Sequence, residues 1–517
     1  MSGPYVHAAI DLGASSARLF GGRLDGGRLI TSEVARAPNA PVRLPDGWHW
    51  DILRLHQGML EGLAVLSREV DAAPIWAGFD GWGVDYGLLD PGGRLLGSPF
   101  CYRDGRTAGL VGTAGARVGR GRIYEATGIQ EMEINTVYQL MAEQAGTAYA
   151  VADKMLLLPD LLSFFLTGER RFELTNASTT QLVDARTGNV VDWLVEALGL
   201  RRDLFALPVL PGEVIGPAMP EVMASAEIRS PLSVVAVGSH DTASAVLAVP
   251  ANREDFAYVV SGTWSLVGFE LERPVIDEPS REANFSNELG VDGTVRFLRN
   301  AMGHWMLQEC GRHWAGASDQ FSLPRLLAEA ARCPPFVSLV DTARPEFARP
   351  GDMPERVRAA CAAHGEPVPG NELALVRCIV DSIALAIAGT LRDAERCAGR
   401  QASVVHVVGG GTANELLLDL VAAATGLEVR AGPVEASALG NLLVQLRAAG
   451  RVGDRWEMRA LVASSFPVKR VRADPELAAL AERAQRRLAD IVAKRESASP
   501  RDRGRDPAPA VDARAGR

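Results

Sequence analysis

The sequence has few cysteines, and their spacing excludes two common roles of this residue. The cysteines among the 517 residues are Cys101, Cys310, Cys333, Cys361, Cys378 and Cys397. They are too sparse for a disulfide framework, and without a C-x-x-C pair they do not match a zinc site. We therefore expect a protein of the reduced cytoplasm.

Long apolar runs are also missing. The first apolar stretch is interrupted by Asp11 and lacks the basic start of a signal peptide, and residues 378–391 are interrupted by Asp381. Neither stretch reaches the length of a membrane span. The sequence therefore predicts a soluble protein that is neither exported nor inserted in a membrane.

Several signatures of catalysis and binding are absent as well. The sequence contains no Walker A loop, no Gly-x-Ser-x-Gly and no metal-ligand spacing of Cys, His and carboxylate residues. The net charge of −9 argues against a nucleic acid or a membrane surface as partner. With 47% hydrophobic and 23% charged residues, the chain is typical of a globular protein of two or more domains.

Two segments far apart in the chain share one plan. Strand patterns over 5–10 and 17–23 flank a turn from Asp11 to Ser16, and strand patterns over 256–260 and 264–271 flank Ser261-Gly262-Thr263. Two such hairpins suggest two related halves that face one another. We place the boundary near residues 250–252.

We accordingly predict an N-terminal domain over 1–249, a C-terminal domain over 250–495 and a disordered tail over 496–517. The tail is rich in Pro, Arg, Asp and Ala. Elsewhere an alternation of strand and helix patterns favours mostly parallel sheets. Strands are predicted at 232–238 and 404–408, and helices at 51–70, 155–166, 243–249, 414–425 and after Asp474-Pro475.

The first turn, from Asp11 to Arg18, has the composition of a phosphate site. Its backbone N–H groups and the hydroxyls of Ser15 and Ser16 suit an anion. Asp11 is suited to hold Mg²⁺ through water, and Arg18 to add positive charge. An ordinary hairpin with a solvated Asp and Arg would explain the same residues.

Two further glycine turns are candidates for the same ligand. Thr263 offers a hydroxyl beside Gly262, and Gly409-Gly410-Gly411 lies between a strand and a helix, where backbone can approach a nucleotide. Each is also explained as a plain turn, and the glycine run does not match G-x-G-x-x-G. Two phosphate turns in one chain would surround a triphosphate.

His240-Asp241-Thr242 follows a strand and opens a helix. A carboxylate there can cap the helix, and it can also accept a hydroxyl proton during phosphorylation of a sugar. Two other residues are candidates for binding a sugar. Trp82 could stack on the sugar or be a core residue, and Asp85 could accept its hydrogen bonds or be a turn residue. Asn300 and Gln308 are polar residues in an apolar stretch with the same two interpretations.

Taken together, these segments resemble the FGGY carbohydrate kinases, and within that family the kinases of L-rhamnulose. The resemblance runs in family order from about residue 6 to 445. It rests on AIDLGASSARLF, GWGVDYGLLD, YRDGRT, NTVYQL, LTNASTTQLVDART, SHDTASAV, SGTWSLVGFE, VVGGGTANELLLDLVAAATGLEV and AGPVEASALGN.

The resemblance implies an α/β protein with the actin-like ATPase (RNase H-like) fold, two duplicated domains and a cleft between them. It implies ATP and Mg²⁺ as cofactors, and transfer of the γ-phosphoryl group to the 1-hydroxyl of L-rhamnulose with Asp241 as base. L-Fuculose remains open as the substrate. A catalytically silent sensor is the other alternative, although Asp11 and Asp241 are both present. The resemblance leaves monomer and homodimer open.

The site residues implied by the resemblance fall into two groups. The ATP contacts are Ala14, Ser15, Ser16, Ala17, Arg18, Thr263, Gln308, Gly410 and Asn414, and the sugar contacts are Gly83, His240, Asp241, Thr242 and Asn300. Two positions depart from the family pattern. Ala17 stands where a glycine is expected in the first phosphate loop, and residues 287–290 replace a more glycine-rich turn near the sugar site.

Overall fold

The structure is a computed structural model that describes residues 6–71, 73–315 and 322–498. The tail predicted over 496–517 lies, from residue 499 onward, outside the described residues. The helix that precedes it begins as predicted, because Asp474 accepts hydrogen bonds from the backbone N–H groups of Glu476 and Leu477.

The N-terminal half contains a six-stranded sheet and several short strand pairs. Its strands are β1 (His7–Leu12), β2 (Ser16–Asp25), β3 (Arg28–Pro38), β4 (Pro41–Leu44), β5 (Gly47–Trp50), β6 (Ile75–Gly81), β7 (Tyr86–Leu89), β8 (Lys154–Leu157), β9 (Arg171–Glu173), β10 (Leu207–Val209), β11 (Val214–Pro217) and β12 (Leu232–Val235). Its helices are α1 (Ile52–Glu69), α2 (Leu110–Val118), α3 (Arg120–Thr127), α4 (Thr136–Glu143), α5 (Thr147–Val151), α6 (Leu158–Thr167), α7 (Leu174–Ala177), α8 (Asp192–Ala197), α9 (Pro220–Ser225) and α10 (Asp241–Leu247).

The C-terminal half contains a seven-stranded sheet. Its strands are β13 (Phe256–Ser261), β14 (Trp264–Leu271), β15 (Ser286–Leu289), β16 (Val295–Met302), β17 (Val404–Val408), β18 (Glu428–Ala431) and β19 (Lys469–Val471). Its helices are α11 (Glu278–Glu282), α12 (Trp305–Ala315), α13 (Leu323–Ala330), α14 (Met353–Ala363), α15 (Glu372–Ala398), α16 (Glu415–Thr425), α17 (Ala436–Ala448), α18 (Arg455–Ser465) and α19 (Pro475–Ala498).

The two sheets repeat one order of strand directions. In the first sheet the order is β3-β2-β1-β6-β12-β11, and the successive pairs are antiparallel, antiparallel, parallel, parallel and antiparallel. The order β16-β14-β13-β17-β18-β19 in the second sheet has the same sequence of directions, and β15 adds an antiparallel edge. Each predicted hairpin therefore occupies the same place in its own sheet.

The expectation of mostly parallel sheets is wrong. Only two pairs in each sheet are parallel, because β1, β2 and β3 follow one another through tight turns, as β13 and β14 do. A tight turn can join only antiparallel neighbours. The helix predicted over 155–166 also begins later, at Leu158, with Pro159 in its first turn, since residues 154–157 pair with β7.

Two helices join the halves. Helix α10, which follows the last strand of the first half, packs against α17 from the second half, and α17 also lies on β1 and β6. The buried cluster between them includes Val246, Leu247, Leu439 and Leu443. The start of α10 is thereby fixed at the junction of the two halves.

Within the part of the chain that the structure describes, one helix is long and apolar enough by composition to cross a membrane. This helix, α15, is a core helix, because most of its apolar stretch is buried among the second sheet, α13, α16 and α19. Its single buried carboxylate, Asp381, pairs with Arg377 at 2.9 Å.

Candidate active site

A cleft of about 640 Å³ lies between the two halves. It brings together segments that are more than 400 residues apart in sequence. Of the predicted site residues, those that line the cleft are Asp11, Ala14, Ser15, Ser16, Arg18, Gly83, His240, Asp241, Thr242, Thr263, Asn300, Gln308, Gly410 and Asn414.

Ala17 is the exception among the predicted residues. Its side chain is buried in the N-terminal core, in the strand that pairs Ala17 with Leu12 and Ala37. The alternation of side chains along a strand explains this, since Ser16 and Arg18 face the cleft. The methyl group of Ala17 therefore does not contact a ligand in the cleft.

The first turn is closed by its own backbone. The Gly13 N–H donates to Ser16 O at 3.0 Å, and Asn39 donates through its side chain to Gly13 O at 2.9 Å. A Cβ at residue 13 would lie 2.8 Å from Ser16 O, so the turn requires glycine there. The residues between, Ala14 and Ser15, face the cleft.

The second turn is held by a histidine that the sequence did not single out. His304 lines the cleft, and its backbone N–H donates to Gly262 O at 3.0 Å. Its Nδ1 lies 3.2 Å from the same oxygen, and its Nε2 lies 3.3 Å from Asn414 Nδ2. Burial lowers the pKa of His304, so the neutral ring that both contacts require is favoured. The only sequence signal is a lone histidine between Gly303 and Trp305.

The glycine run lines the same cleft. Gly410 begins a short 3₁₀ turn, and Asn414 caps α16 by accepting from Leu417 N at 3.1 Å. A Cβ on Gly410 would meet no atom within 4 Å, whereas one on Gly411 would overlap Ser261. Apolar side chains of α13, Leu323 among them, also line the cleft.

Two aspartates that line the cleft, Asp11 and Asp241, influence each other through their charges. Asp11 lies near the end of β1, is almost fully buried, and accepts from Arg18 at 2.6 Å and from Ser437 at 3.1 Å. Burial raises the pKa of Asp11, Arg18 acts to lower it, and the charge of Asp241 raises it further. Asp80 lies beside Asp11 in β6, and burial raises its pKa well above the usual range.

Asp241 does not cap its helix. The N-cap residue is His240, and Asp241 is the first helical residue, with a single hydrogen bond from Thr242 Oγ1 at 3.1 Å. About a third of its side chain is exposed, toward the cleft. The capping alternative is therefore wrong for the side chain of Asp241, whose carboxylate retains acceptor capacity.

The backbone that presents Asp241 is fixed by a buried carboxylate. Glu173 accepts from both the N–H and the hydroxyl of Ser239, at 3.1 and 2.6 Å, and from Thr175 Oγ1 at 2.6 Å. Thr175 in turn accepts from the His240 N–H at 3.3 Å. The short loop before α10 is thereby held on both sides.

Asp85 is not a sugar ligand. Its carboxylate is fully buried and accepts from Trp50 Nε1 at 2.6 Å, Trp82 Nε1 at 2.9 Å, Gln139 Nε2 at 2.9 Å and Tyr102 N at 3.2 Å. Because the carboxylate is fully buried and does not line the cleft, it does not reach a ligand there. Asp85 instead orients Trp82, which does line the cleft.

The segment after Trp82 is strained. Val84 has a φ of 68°, a left-handed conformation that β-branched residues rarely adopt. Its N–H donates to Thr179 at 3.2 Å, and its carbonyl accepts from Thr136 at 2.7 Å. A Cβ on Gly83 would lie 2.7 Å from Thr179 Oγ1, so this position has no room for a side chain.

Asn300 and Gln308 enter the cleft from different elements. Asn300, in β16, donates through both its backbone N–H and its amide to Gln130 Oε1, at 2.9 and 3.0 Å. Gln308 lies on α12 and also lines the cleft. Among the described residues, no three His, Cys, Asp or Glu side chains form a metal cluster. Mg²⁺ bound through few carboxylates and substrate phosphates does not need one, so Asp11 fits such an ion.

Solved structures give the class of the fold. A ligand-bound xylulose kinase from Lactobacillus acidophilus superposes with a TM-score of 0.76 at 15% identity, covering 96% of this chain and 99% of that one. A Plasmodium falciparum glycerol kinase with ADP gives 0.74 at 13% identity, covering 96% and 99%. The predicted actin-like fold of two α/β domains is confirmed.

The family follows from the sequence. The chain belongs to the FGGY family of carbohydrate kinases, whose N-terminal domain matches residues 6–248 and whose C-terminal domain matches 257–449. It is similar to the rhamnulokinase of Bacteroides thetaiotaomicron, at 40% identity over 463 residues, covering 89% of this chain and 94% of that protein. It is also similar to the rhamnulokinase of Yersinia pestis (strain Pestoides F), at 41% over 467 residues, covering 89% and 93%. The protein is thus a sugar kinase, as predicted, and kinases of this family use ATP.

Proposed function

We propose that the protein transfers the γ-phosphoryl group of ATP to the 1-hydroxyl of L-rhamnulose and forms L-rhamnulose 1-phosphate and ADP. The names of its relatives support this substrate. The observation that carries the proposal is the Asp241 carboxylate, which faces the cleft at the junction of the two halves and has one internal hydrogen bond.

The base is Asp241. As the hydroxyl oxygen of the ketose attacks the γ-phosphorus, its proton passes to this carboxylate, and the electrons of the breaking bond go to the β-phosphate oxygen of the departing ADP. A positioned carboxylate contributes about 10²–10⁴-fold to such a step. Alignment and neutralisation of charge supply the rest.

ATP spans the cleft from the glycine run to the two turns. The residues that hold it are Ala14, Ser15, Ser16, Arg18, Thr263, Gln308, Gly410 and Asn414. The turn that contains Gly13 presents backbone N–H groups to the phosphates, and Thr263 presents its hydroxyl from the opposite half. His304 keeps the second turn at a fixed distance from Asn414.

Asp11 would hold Mg²⁺ through water. The ion would neutralise charge on the transferring phosphoryl group. Arg18 lies 2.6 Å from Asp11 and keeps this buried carboxylate closer to ionisation than burial alone would.

The ketose lies at the other end, in contact with Gly83, His240, Asp241, Thr242 and Asn300. Trp82 offers an aromatic face next to Gly83, where there is no room for a side chain. We expect the reaction to take place in the cytoplasm, in agreement with six free cysteines.

A panel of ketoses tests the proposed substrate. ADP release is measured in a coupled assay with L-rhamnulose, L-fuculose and D-xylulose at equal concentrations, and the phosphorylated carbon is identified by NMR. We expect the highest kcat/KM for L-rhamnulose and phosphate on its 1-oxygen. A higher kcat/KM for L-fuculose would overturn the substrate and keep the kinase.

A further inference from the structure

The edge strand of the C-terminal sheet brings a carboxylate into the cleft beside His240. Glu288, in β15, is only 4% exposed and lines the cleft. The strand is covered by the other half, because Asn287 N donates to Gly128 O at 2.8 Å and Leu289 N donates to Ser178 Oγ at 2.9 Å. Residues 287–289 are therefore part of a strand between the two halves, where the sequence had suggested a turn.

Glu288 is held in its ionised form. Its Oε2 lies 3.0 Å from Arg296 Nη1 and 3.2 Å from His240 Nδ1, and the Arg296 side chain is fully buried. Burial raises the pKa of Glu288, but the charge of Arg296 acts against this, and the pKa is lowered. The cleft therefore contains a negative charge close to Asp241 whose counter-ion comes from the C-terminal half.

The same contacts leave Glu288 with acceptor capacity. Arg296 Nη1 also lies 3.0 Å from His240 Nδ1, and a guanidinium can only donate. The imidazole that pairs with Arg296 therefore accepts at Nδ1 and has its proton on Nε2. Consequently it does not donate to Glu288, whose Oε2 receives no aligned hydrogen bond from the residues that the structure describes.

We propose that Glu288 accepts a hydrogen bond from a hydroxyl of the ketose and thereby selects among ketoses. The inference rests on the proposed function, since it assigns a further residue to the same sugar site. A charged acceptor in a cleft from which water is excluded loses its partner when that hydroxyl is missing or points elsewhere. Sites built this way reject the wrong substrate by large factors.

A matched pair of variants tests the role of Glu288. Glu288→Gln keeps the shape and removes the charge. Glu270→Gln makes the same change in a second buried pair of the same sheet, where Glu270 lies 2.9 Å from Arg459 and does not line the cleft. Calorimetric titration with the ketose, and separately with ADP, measures both affinities without turnover.

We expect Glu288→Gln to weaken ketose binding about tenfold or more and to leave ADP binding within twofold. Glu270→Gln should leave both affinities within twofold. Ketose affinity within twofold of the unsubstituted protein in Glu288→Gln, or an equal loss in Glu270→Gln, would overturn the inference.

Glu288→Asp covers the case in which the glutamine variant does not fold. It keeps a negative charge near Arg296 but withdraws the carboxylate by one methylene, so we again expect a loss of ketose affinity. If L-rhamnulose is not the substrate, the result is different, because the unsubstituted protein would then not bind L-rhamnulose. The titrations are in that case made with the ketose that the panel identifies, and the same outcomes decide on Glu288.

Discussion

Arg18 donates to Asp11 across 2.6 Å in the first turn, and the same guanidinium also pairs with Glu435 from the opposite half of the molecule. The Arg18 side chain thus connects Asp11, the proposed magnesium ligand, with Glu435 in the C-terminal half. Burial raises the pKa of Asp11, and the charge of Arg18 acts against this.

We expect Arg18→Gln to move the acid limb of the activity profile toward higher pH. Arg18 lowers the pKa of Asp11, so its removal raises that pKa and leaves less of the carboxylate ionised at a given pH. The measurement is kcat/KM for ATP from pH 5 to 8 at saturating ketose and fixed Mg²⁺.

Arg36→Gln is the control for that experiment. Arg36 also lines the cleft, but its partner is Glu33 at 2.6 Å. Its acid limb should move much less than that of Arg18→Gln. An unshifted limb in Arg18→Gln, or equal shifts in both variants, would contradict the role given to Arg18.

The buried carboxylate of Asp85 makes stability depend on pH. Burial raises its pKa from 3.8 to about 6, and the hydrogen bonds from Gln139, Trp50, Trp82 and Tyr102 only partly offset this. Between these pH values the unfolded chain ionises while the folded protein stays protonated. The contribution of Asp85 to stability is therefore present below pH 4, falls as the pH rises, and levels off above 6.

Asp85→Asn should remove this dependence. We expect the free energy of unfolding of the unsubstituted protein, minus that of the variant, to fall by about 2 kcal/mol between pH 4.5 and 6.5. Urea unfolding at several pH values measures both. A difference that stays constant or rises with pH would show that Asp85 is ionised in the folded protein throughout.

Neighbouring glycines of the run should respond differently to the same methyl group. Gly410→Ala meets no protein atom within 4 Å, so we expect an unchanged Tm, an unchanged KM for the ketose and a KM for ATP raised several-fold. Gly411→Ala would overlap Ser261, so we expect a lowered Tm. A normal KM for ATP in Gly410→Ala would remove Gly410 from the nucleotide site.

The sequence predicted the parts of the fold that depend on local pattern. Both hairpins, the strand over 404–408 and the cap at Asp474 follow from alternation and capping residues, which act over a few positions. Whether neighbouring strands run parallel or antiparallel was not predictable in the same way. It depends on which strands become neighbours, and short turns made most of those neighbours antiparallel.

In the candidate site, too, local features were predictable and contacts between distant segments were not. Motifs identified the residues that face the cleft, but the contacts that orient them come from distant segments. From the sequence Asp85 was a plausible sugar ligand, but in the fold it is buried among donors from three other segments and from its own neighbour Trp82. Glu288 and His304 carry no motif of their own, and only the folded chain places them beside His240 and Asn414.

Asp241→Asn tests the central claim most directly. The variant keeps the size of the side chain, and neither the cap of α10 nor the loop fixed by Glu173 depends on its charge. Single-turnover rates are measured at saturating ATP and L-rhamnulose, with dissociation constants for both ligands measured separately. If Asp241 is the base, the rate falls by a factor on the order of 10² or more while both dissociation constants stay within a few-fold. A near-normal rate in this variant would contradict the account.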